Sequence, residues 1–262
     1  MKKYLREIYR RKDLLVYLVF SGLKAEHRNS FLGYFWWVLD PLLRVGIFYF
    51  VRVVLTGRAG PNLVGNLVVG LIAWRWFSST MSRSAKAITG KAGIISKVYL
   101  PKVIFPITTS LTQMMNFCFA LTVIVFYLVI SSTLPGLEVL WLPFIMLIQF
   151  ILLLAISLVI SYWSVFIRDI ENLLKHITRL MFYASPVIWE RGMLQRALSA
   201  DYDWIVDLNP VALILNSYRN IFLYKENPFF GPLLCIGGIS LLVIVFMTYF
   251  YSRNEHKMIK LL

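Results

Sequence analysis

Charge is scarce in this sequence, and acidic charge is scarcest. Of 262 residues only 15% are charged, with 13 Asp and Glu against 27 Lys and Arg. Soluble domains carry about 25% charged and about 45–50% apolar residues. Here 59% are hydrophobic, 16% are aromatic and mean hydropathy is +0.70, so an ordinary water-soluble domain is excluded. Cysteine is nearly absent. Cys118 and Cys235 both lie inside apolar runs, outside any C-x-x-C or Cys/His pattern, and read as small buried hydrophobes. His27, His176 and His256 stand far apart, so no local metal signature exists. The chain also lacks a G-x-x-x-x-G-K-[ST] phosphate loop: in "AITGKAG", Ala92 follows Gly90-Lys91 where Ser or Thr would bind magnesium. Any ATP hydrolysis that drives it belongs to a separate chain. G-x-S-x-G and H-E-x-x-H are missing, as are internal repeats and low-complexity segments.

What remains is apolar runs separated by basic loops. The net charge of +14 would point to nucleic acid in a soluble chain. Here the cations cluster between apolar runs, as cytoplasmic loops do under the positive-inside rule, and nucleic acid is set aside. A membrane span needs roughly 20 apolar residues. Five runs qualify: Tyr34–Leu55, Leu63–Met81, Val103–Ser131, Val139–Ile167 and Phe230–Tyr251. A sixth, Leu173–Trp189, is weaker, with Lys175, His176 and Arg179 in its first half and a kink expected at Pro186. Both ends are basic, through Lys2, Lys3, Arg6 and Arg10–Lys12 at one and Arg253, Lys257 and Lys260 at the other. Two cytoplasmic ends require an even number of spans, so six are expected. The loop Arg83–Lys102 holds five cations and no acid and falls on the inner side. Two segments are neither loop nor span. "DLLVYLVFSGL" (Asp13–Leu23) is too short to cross and has no cleavage pattern behind it, so it reads as an interfacial helix. Trp204–Tyr224 is interrupted by Asp207, Asn209-Pro210, Asn216 and Arg219. It reads as one or two short helices dipping back from the outer side.

Charge within the spans is the sharpest functional pointer. Asp40 and Arg44 are spaced i,i+4 on one helix face, Arg52 lies within about 80° of that face, and Arg75 sits between Trp74 and Trp76. Such charges face a bundle interior or a wet cavity. A neutralised structural pair and a functional one are equal readings for Asp40–Arg44. Tyr34, Phe35, Trp36 and Trp37 also have two readings, an interfacial belt or a stacking surface for sugar rings. The basic loop either meets anionic lipid or carries a short docking helix for a partner, "RSAKAITGKAGIISK" (Arg83–Lys97). In "RDIENLLKH" (Arg168–His176), Glu171/Lys175 and Asn172/His176 are i,i+4 pairs at a helix start. Asp169 suits the dipole there, and general acid–base chemistry by His176 lacks a second group.

"LKAEHRNSFLGYFWWVLDPLL", the basic loop ending "SKVYLPKVIFPI", "RDIENLL", "ASPVIW" and "LNPVALILNSYRNIFL" occur in that order along essentially the whole chain. Together they resemble permease subunits of type-two ABC exporters for cell-surface polysaccharides: teichoic acid, O-antigen or capsule. The resemblance implies an all-α membrane protein of the bacterial plasma membrane, both termini cytoplasmic, working as a homodimer with two ATP-binding cassette subunits. It implies a cytoplasmic interfacial segment (1–33), spans one to five (34–189), extracellular gate helices (190–229) and a last span with tail (230–262). ATP and magnesium would sit on the partner, and this chain would be neither an enzyme nor a cofactor binder. The polymer channel would run at the dimer interface past Tyr34, Phe35, Trp36, Trp37, Asp40, Arg44, Arg75, Tyr183 and Trp189. Coupling to the ATPase would use Arg83, Lys86, Lys91 and Lys97, and the gate Asn209, Pro210 and Arg219. Asp40 departs from the pattern, which has an uncharged residue before that proline. Teichoic acid is favoured because Arg44, Arg52 and Arg75 complement a polyphosphate. An intramembrane transferase on lipid-linked sugars and an ion-coupled transporter are the rival classes.

Overall fold

The computed structural model describes residues 2–27, 31, 33–55, 57, 62–95, 100–133, 135–189 and 208–259; for Tyr34, Trp37 and Arg52 it describes the backbone alone. Lys97, residues 190–207 and Lys260 lie outside the described residues. No strand occurs among the described residues.

The chain opens with α1 (Lys2–Arg10) and α2 (Lys12–His27). In α1, Tyr4 is buried while Arg6 and Arg10 face out, the pattern of a helix lying along a surface. Val19 and Leu23 of α2 are buried, and the helix packs on α6. Next comes α3 (Trp36–Phe50), which continues as a single π-turn over Val51–Leu55. Pro41 sits inside α3 and leaves the Trp37 carbonyl without its helical donor. Then follow α4 (Leu63–Ser84), the four-residue α5 (Ala92–Ile95), α6 (Ile104–Ile130), α7 (Leu142–Phe166) and α8 (Ile170–Ala184). The chain closes with α9 (Pro210–Arg219), which runs into a π-turn over Asn220–Tyr224, and α10 (Phe230–Ile259).

Among the described residues, three helices are long and apolar enough to cross a membrane: Ile104–Ile130, Leu137–Phe166 and Phe230–Met258. The polar α4 owes its place to protein rather than lipid. It packs against α3, α6, α7, α8 and α9 and is buried over most of its length. Its polar groups therefore find partners inside the bundle, which is where a span tolerates them. Lipid gives helices little apolar incentive to associate, so hydrogen bonds and close packing matter more, at roughly 0.6 kcal/mol per interhelical bond. Ser84 Oγ donates to Ser157 Oγ at 2.7 Å, and Gln149 Nε2 donates to the Ala73 carbonyl at 3.2 Å. Gly70 supplies the close packing: a Cβ there would lie 2.6 Å from the Val187 carbonyl oxygen.

Two expected helices change shape. The run Arg83–Lys97 is not one helix. Beyond Ser84 it turns through Ala85–Ile88, makes a 3-10 turn over Thr89–Lys91 and only then forms α5. Gly90 and Gly93 dilute helix propensity, and Ile88, fully buried with Ile95, Leu100, Val165 and Tyr251, pins the turn. The last span does not stop at Tyr251. It continues through the polar tail, because Glu255 and Met258 are buried against the rest of the chain. Glu255 pairs with Lys102 at 3.7 Å and accepts the Lys102 backbone N–H at 2.9 Å, and Lys102 Nζ donates to the Leu100 carbonyl. Burial pushes the Lys102 ammonium below its ordinary pKa, with Glu255 pulling it partly back. The kink expected at Pro186 is a full stop: α8 ends at Ala184, and Ser185 is extended.

Candidate functional site

α3, α4 and α8 enclose a groove of about 530 Å³. The sequence builds each wall by helical spacing. On α4, Arg75, Ser78, Ser79 and Ser82 recur at i, i+3, i+4 and i+7, so one polar stripe runs down an otherwise buried helix. On α8 the same spacing places Lys175, Thr178, Arg179 and Phe182. From α3 come Arg44 and Phe48. The serine hydroxyls spend their protons locally, Ser79 on the Arg75 carbonyl (2.7 Å) and Ser82 on the Ser78 carbonyl (2.9 Å). They present acceptors and small polar surface without disturbing the helix.

The groove has an aromatic wall and a cationic one. Phe182 meets Phe48 and Trp74, each with ring centroids 5.6 Å apart, so one ring from each of the three helices joins the cluster. Four cations line the groove: Arg44, Arg75, Lys175 and Arg179. One carboxylate holds two of them, since Asp40 pairs with Arg44 at 3.4 Å on its own helix and with Arg75 across to α4. Asp40 thereby ties α3 to α4. Arg75 also borders a second, small cavity of about 50 Å³ between α4 and α6, with Arg83, Gln113 and Asn116 around it.

The structure brings together Asp40, Arg44, Arg75 and Tyr183 from the expected channel set. Phe35 and Trp36 are exposed at the start of α3 and do not line the groove. Trp189 instead donates Nε1–H to the Tyr183 carbonyl at 2.9 Å. Sequence reasoning did not assign Phe48, Phe182, the three serines, Lys175 or Arg179 to the channel. The repeat of polar residues at helical spacing on α4 and α8 was the available signal.

Of the residues expected to couple to an ATPase, Lys86 reaches Glu171 at the start of α8 (2.9 Å), and Lys91 is exposed. Glu171 also pairs with Lys175 at 3.8 Å, as its i,i+4 spacing predicts. The Lys86 hydrogen bond is the main force holding the Glu171 carboxyl below its ordinary pKa. Asn172 accepts from Lys175 at 3.1 Å. Lys86, Arg168 and Glu171 border a recess of about 300 Å³ between the basic loop and the turn from α7 into α8.

The residues expected at the gate form a clamp. Asn209 caps α9, its Oδ1 accepting from Val211 N and Ala212 N at 3.0 and 3.4 Å, with Pro210 in the first helical position. Its amide donates to Ser185 Oγ at 2.9 Å, just where α8 has ended. Arg219, only 3% exposed, donates through Nη2 to the carbonyls of Val187 (3.0 Å) and Asn66 (3.2 Å). A non-helical backbone inside a membrane bundle needs such a donor. Asn66 and the Tyr224 hydroxyl share a further bond at 2.9 Å.

Apolar helices long enough to span a bilayer, packed around a groove with cationic and aromatic walls, mark an integral membrane protein. The family model described as "ABC-2 type transporter" matches residues 14–223. The chain belongs to the ABC-2 type transporter family. It is similar to the O-antigen export system permease protein RfbA of Myxococcus xanthus, with 28% identity over 97% of this chain and 98% of the relative. An RfbA permease of Klebsiella pneumoniae is 31% identical over 88% of this chain and 89% of the relative. Another from Klebsiella pneumoniae is 31% identical over 80% of each.

Proposed function

We propose that this chain is the membrane-spanning permease subunit of an ATP-driven exporter. A second copy and two ATP-binding cassette subunits complete it, and it carries a lipid-linked polysaccharide across the bacterial plasma membrane. The observation that carries this reading is the groove between α3, α4 and α8. Aromatic faces suit sugar rings, and the cations beside them suit an anionic headgroup. α3, α4 and α8 from Leu173 onward join the three long helices as spans, giving six, with Glu171 and both termini on the cytoplasmic side and Asn209–Tyr224 on the outer side. The named activity of the RfbA relatives, O-antigen export, supports a polysaccharide cargo. The case for teichoic acid, which rested on the cations, is weaker than it reads from sequence, because Asp40 already engages Arg44 and Arg75.

The test is reconstitution with a cognate ATP-binding cassette subunit. ATP-dependent export of a lipid-linked glycan into vesicles is expected, reduced at least tenfold by Arg75→Ala. Export by the permease alone would favour an ion-coupled transporter, and modification of the glycan would favour a transferase. Equal export of phosphate-free and phosphate-bearing polymers would remove the teichoic acid preference. Labelling of Arg10→Cys and Lys257→Cys from the cytoplasmic side, and from that side only, checks the even span count.

A further inference from the structure

Two cavities of this protein meet at a single carboxylate. Glu171 borders the recess beside the basic loop, and Lys175, one turn along α8, lines the groove. Glu171 touches both sides, at 2.9 Å from Lys86 and 3.8 Å from Lys175. All three side chains are well exposed, at 38% for Glu171, 65% for Lys86 and 62% for Lys175. Exposed ion pairs are weak individually, so either lysine exchanges this carboxylate readily for a better-placed anion.

The recess selects its occupant by charge. Thr89 and Ser164 border it, but their hydroxyl protons are spent on the Ala85 and Ile160 carbonyls. What it offers an incoming group is Lys86 and Arg168, with Glu171 as the acid already in place. A volume of about 300 Å³ admits an acidic side chain and not a polymer.

The geometry points to Glu171 as a charge exchanger: a carboxylate side chain of the ATP-binding cassette subunit enters the recess and takes Lys86, and Glu171 turns to Lys175 and neutralises it in the groove. This rests on the reading that such a subunit docks at the basic loop. The coupling has a definite sign. Docking at Lys86 withdraws a cation from the groove and weakens its hold on an anion. An anion that claims Lys175 leaves Glu171 to Lys86 and weakens docking. Linkage makes both effects the same factor, and the strength of an exposed pair sets it at about threefold. Glu171 is a positioning residue here, acting on the substrate through Lys175.

The experiment uses the full chain in lipid nanodiscs, titrated with the purified cassette subunit, with and without a long-chain polyprenyl diphosphate in the bilayer. The unmodified chain should show a Kd for the subunit that is about threefold higher with the diphosphate present. In Glu171→Gln both partners should still bind, and the ratio should fall to one. Lys175→Gln keeps the docking cation Lys86 and Glu171 but removes the groove end of the exchange, so the subunit should still bind and the ratio should again be one. An unchanged ratio in Glu171→Gln overturns the exchange, as does a ratio of one in the unmodified chain. An unchanged ratio in Lys175→Gln also overturns it, since the two cavities would then be coupled by another route. Failure of the unmodified chain to bind the cassette subunit at all overturns the docking reading beneath it.

Discussion

Arg75 and Arg219 both serve α4, and they live differently. Arg219 comes from α9 and is 3% exposed, and its guanidinium is committed to two backbone carbonyls across a surface where Gly70 permits close approach. Arg75 sits on α4 itself with its side chain 35% exposed, paired to one carboxylate and bordering two cavities. The first arginine completes a backbone that has left the helix. The second is balanced by a side chain that a ligand can compete with. Placement of a charge inside a membrane bundle therefore does not identify function by itself. The partner does: a carbonyl outside any helix, as at Val187, marks structure, and an exchangeable acid beside an open groove marks a candidate site.

The sharpest test of that contrast is to remove the clamp. Arg219→Leu leaves the Val187 carbonyl facing a buried apolar side chain, at about 1–3 kcal/mol for the unsatisfied group, and takes a second donor from the Asn66 carbonyl, which lies inside α4. Thermal unfolding in detergent should show a large fall in Tm, with export lost only in proportion to folded protein. Gly70→Ala attacks the same contact from the other side. Its Cβ would meet the Val187 oxygen at 2.6 Å, and backbone cannot give way as a flexible side chain can. About 1–3 kcal/mol is expected from this overpacking. Gly70→Ala and Arg219→Leu should be strongly non-additive in a double-mutant cycle, because they disrupt one junction.

How much of this was legible in the sequence follows from how far apart the partners lie. The Asp40–Arg44 pair could be read from its spacing, since helical neighbours at i,i+4 need no tertiary information. Glu171–Lys175 was legible for the same reason. Arg75 as the third member of the Asp40 cluster was not, because it depends on how α3 packs on α4. The clamp was less legible still: the partners of Arg219 are 32 and 153 residues away, and carbonyls carry no signature in a sequence. Of the aromatics read from sequence, Trp74 and Tyr183 line the groove while Phe35 and Trp36 stay at the mouth of α3, and the two rings that meet Trp74 to form the aromatic wall, Phe48 and Phe182, were not read. The break after α8 was announced by Pro186, but Ser185 and Asn209 fix where the chain goes next.

On the side of Arg75 the expected effects are smaller in stability and larger in function. Asp40→Asn removes the carboxylate from a half-exposed cluster, and exposed or part-exposed pairs of this kind contribute about 0–1 kcal/mol. Tm should therefore shift by only a few degrees. With Asp40's charge gone, Arg44 and Arg75 should bind an anionic lipid headgroup several-fold more tightly, measured with a polyprenyl diphosphate in nanodiscs. A large loss of stability instead would place Asp40 with Arg219, among the structural charges.

The smallest effect concerns Glu171 and pH. Its carboxyl is held below its ordinary value chiefly by Lys86, so the folded protein gives up this proton more readily than the unfolded chain does. As pH falls through the ordinary carboxylate range near about 4.3, the unfolded chain takes up the proton first. The stabilisation is thus complete at neutral pH, shrinks on acidification through that range, and is gone once pH passes below the lowered folded value. A carboxyl-carbon NMR titration of Glu171 should give a midpoint below that of a free glutamate. Lys86→Gln should raise the midpoint, and Lys175→Gln should raise it less, because Lys86 at 2.9 Å is the nearer partner and Lys175 lies at 3.8 Å. Equal shifts in the two variants would mean that Glu171 is shared evenly between the loop and the groove. The contrast between a committed charge and an exchangeable one would then extend from Arg219 and Arg75 to this carboxylate as well.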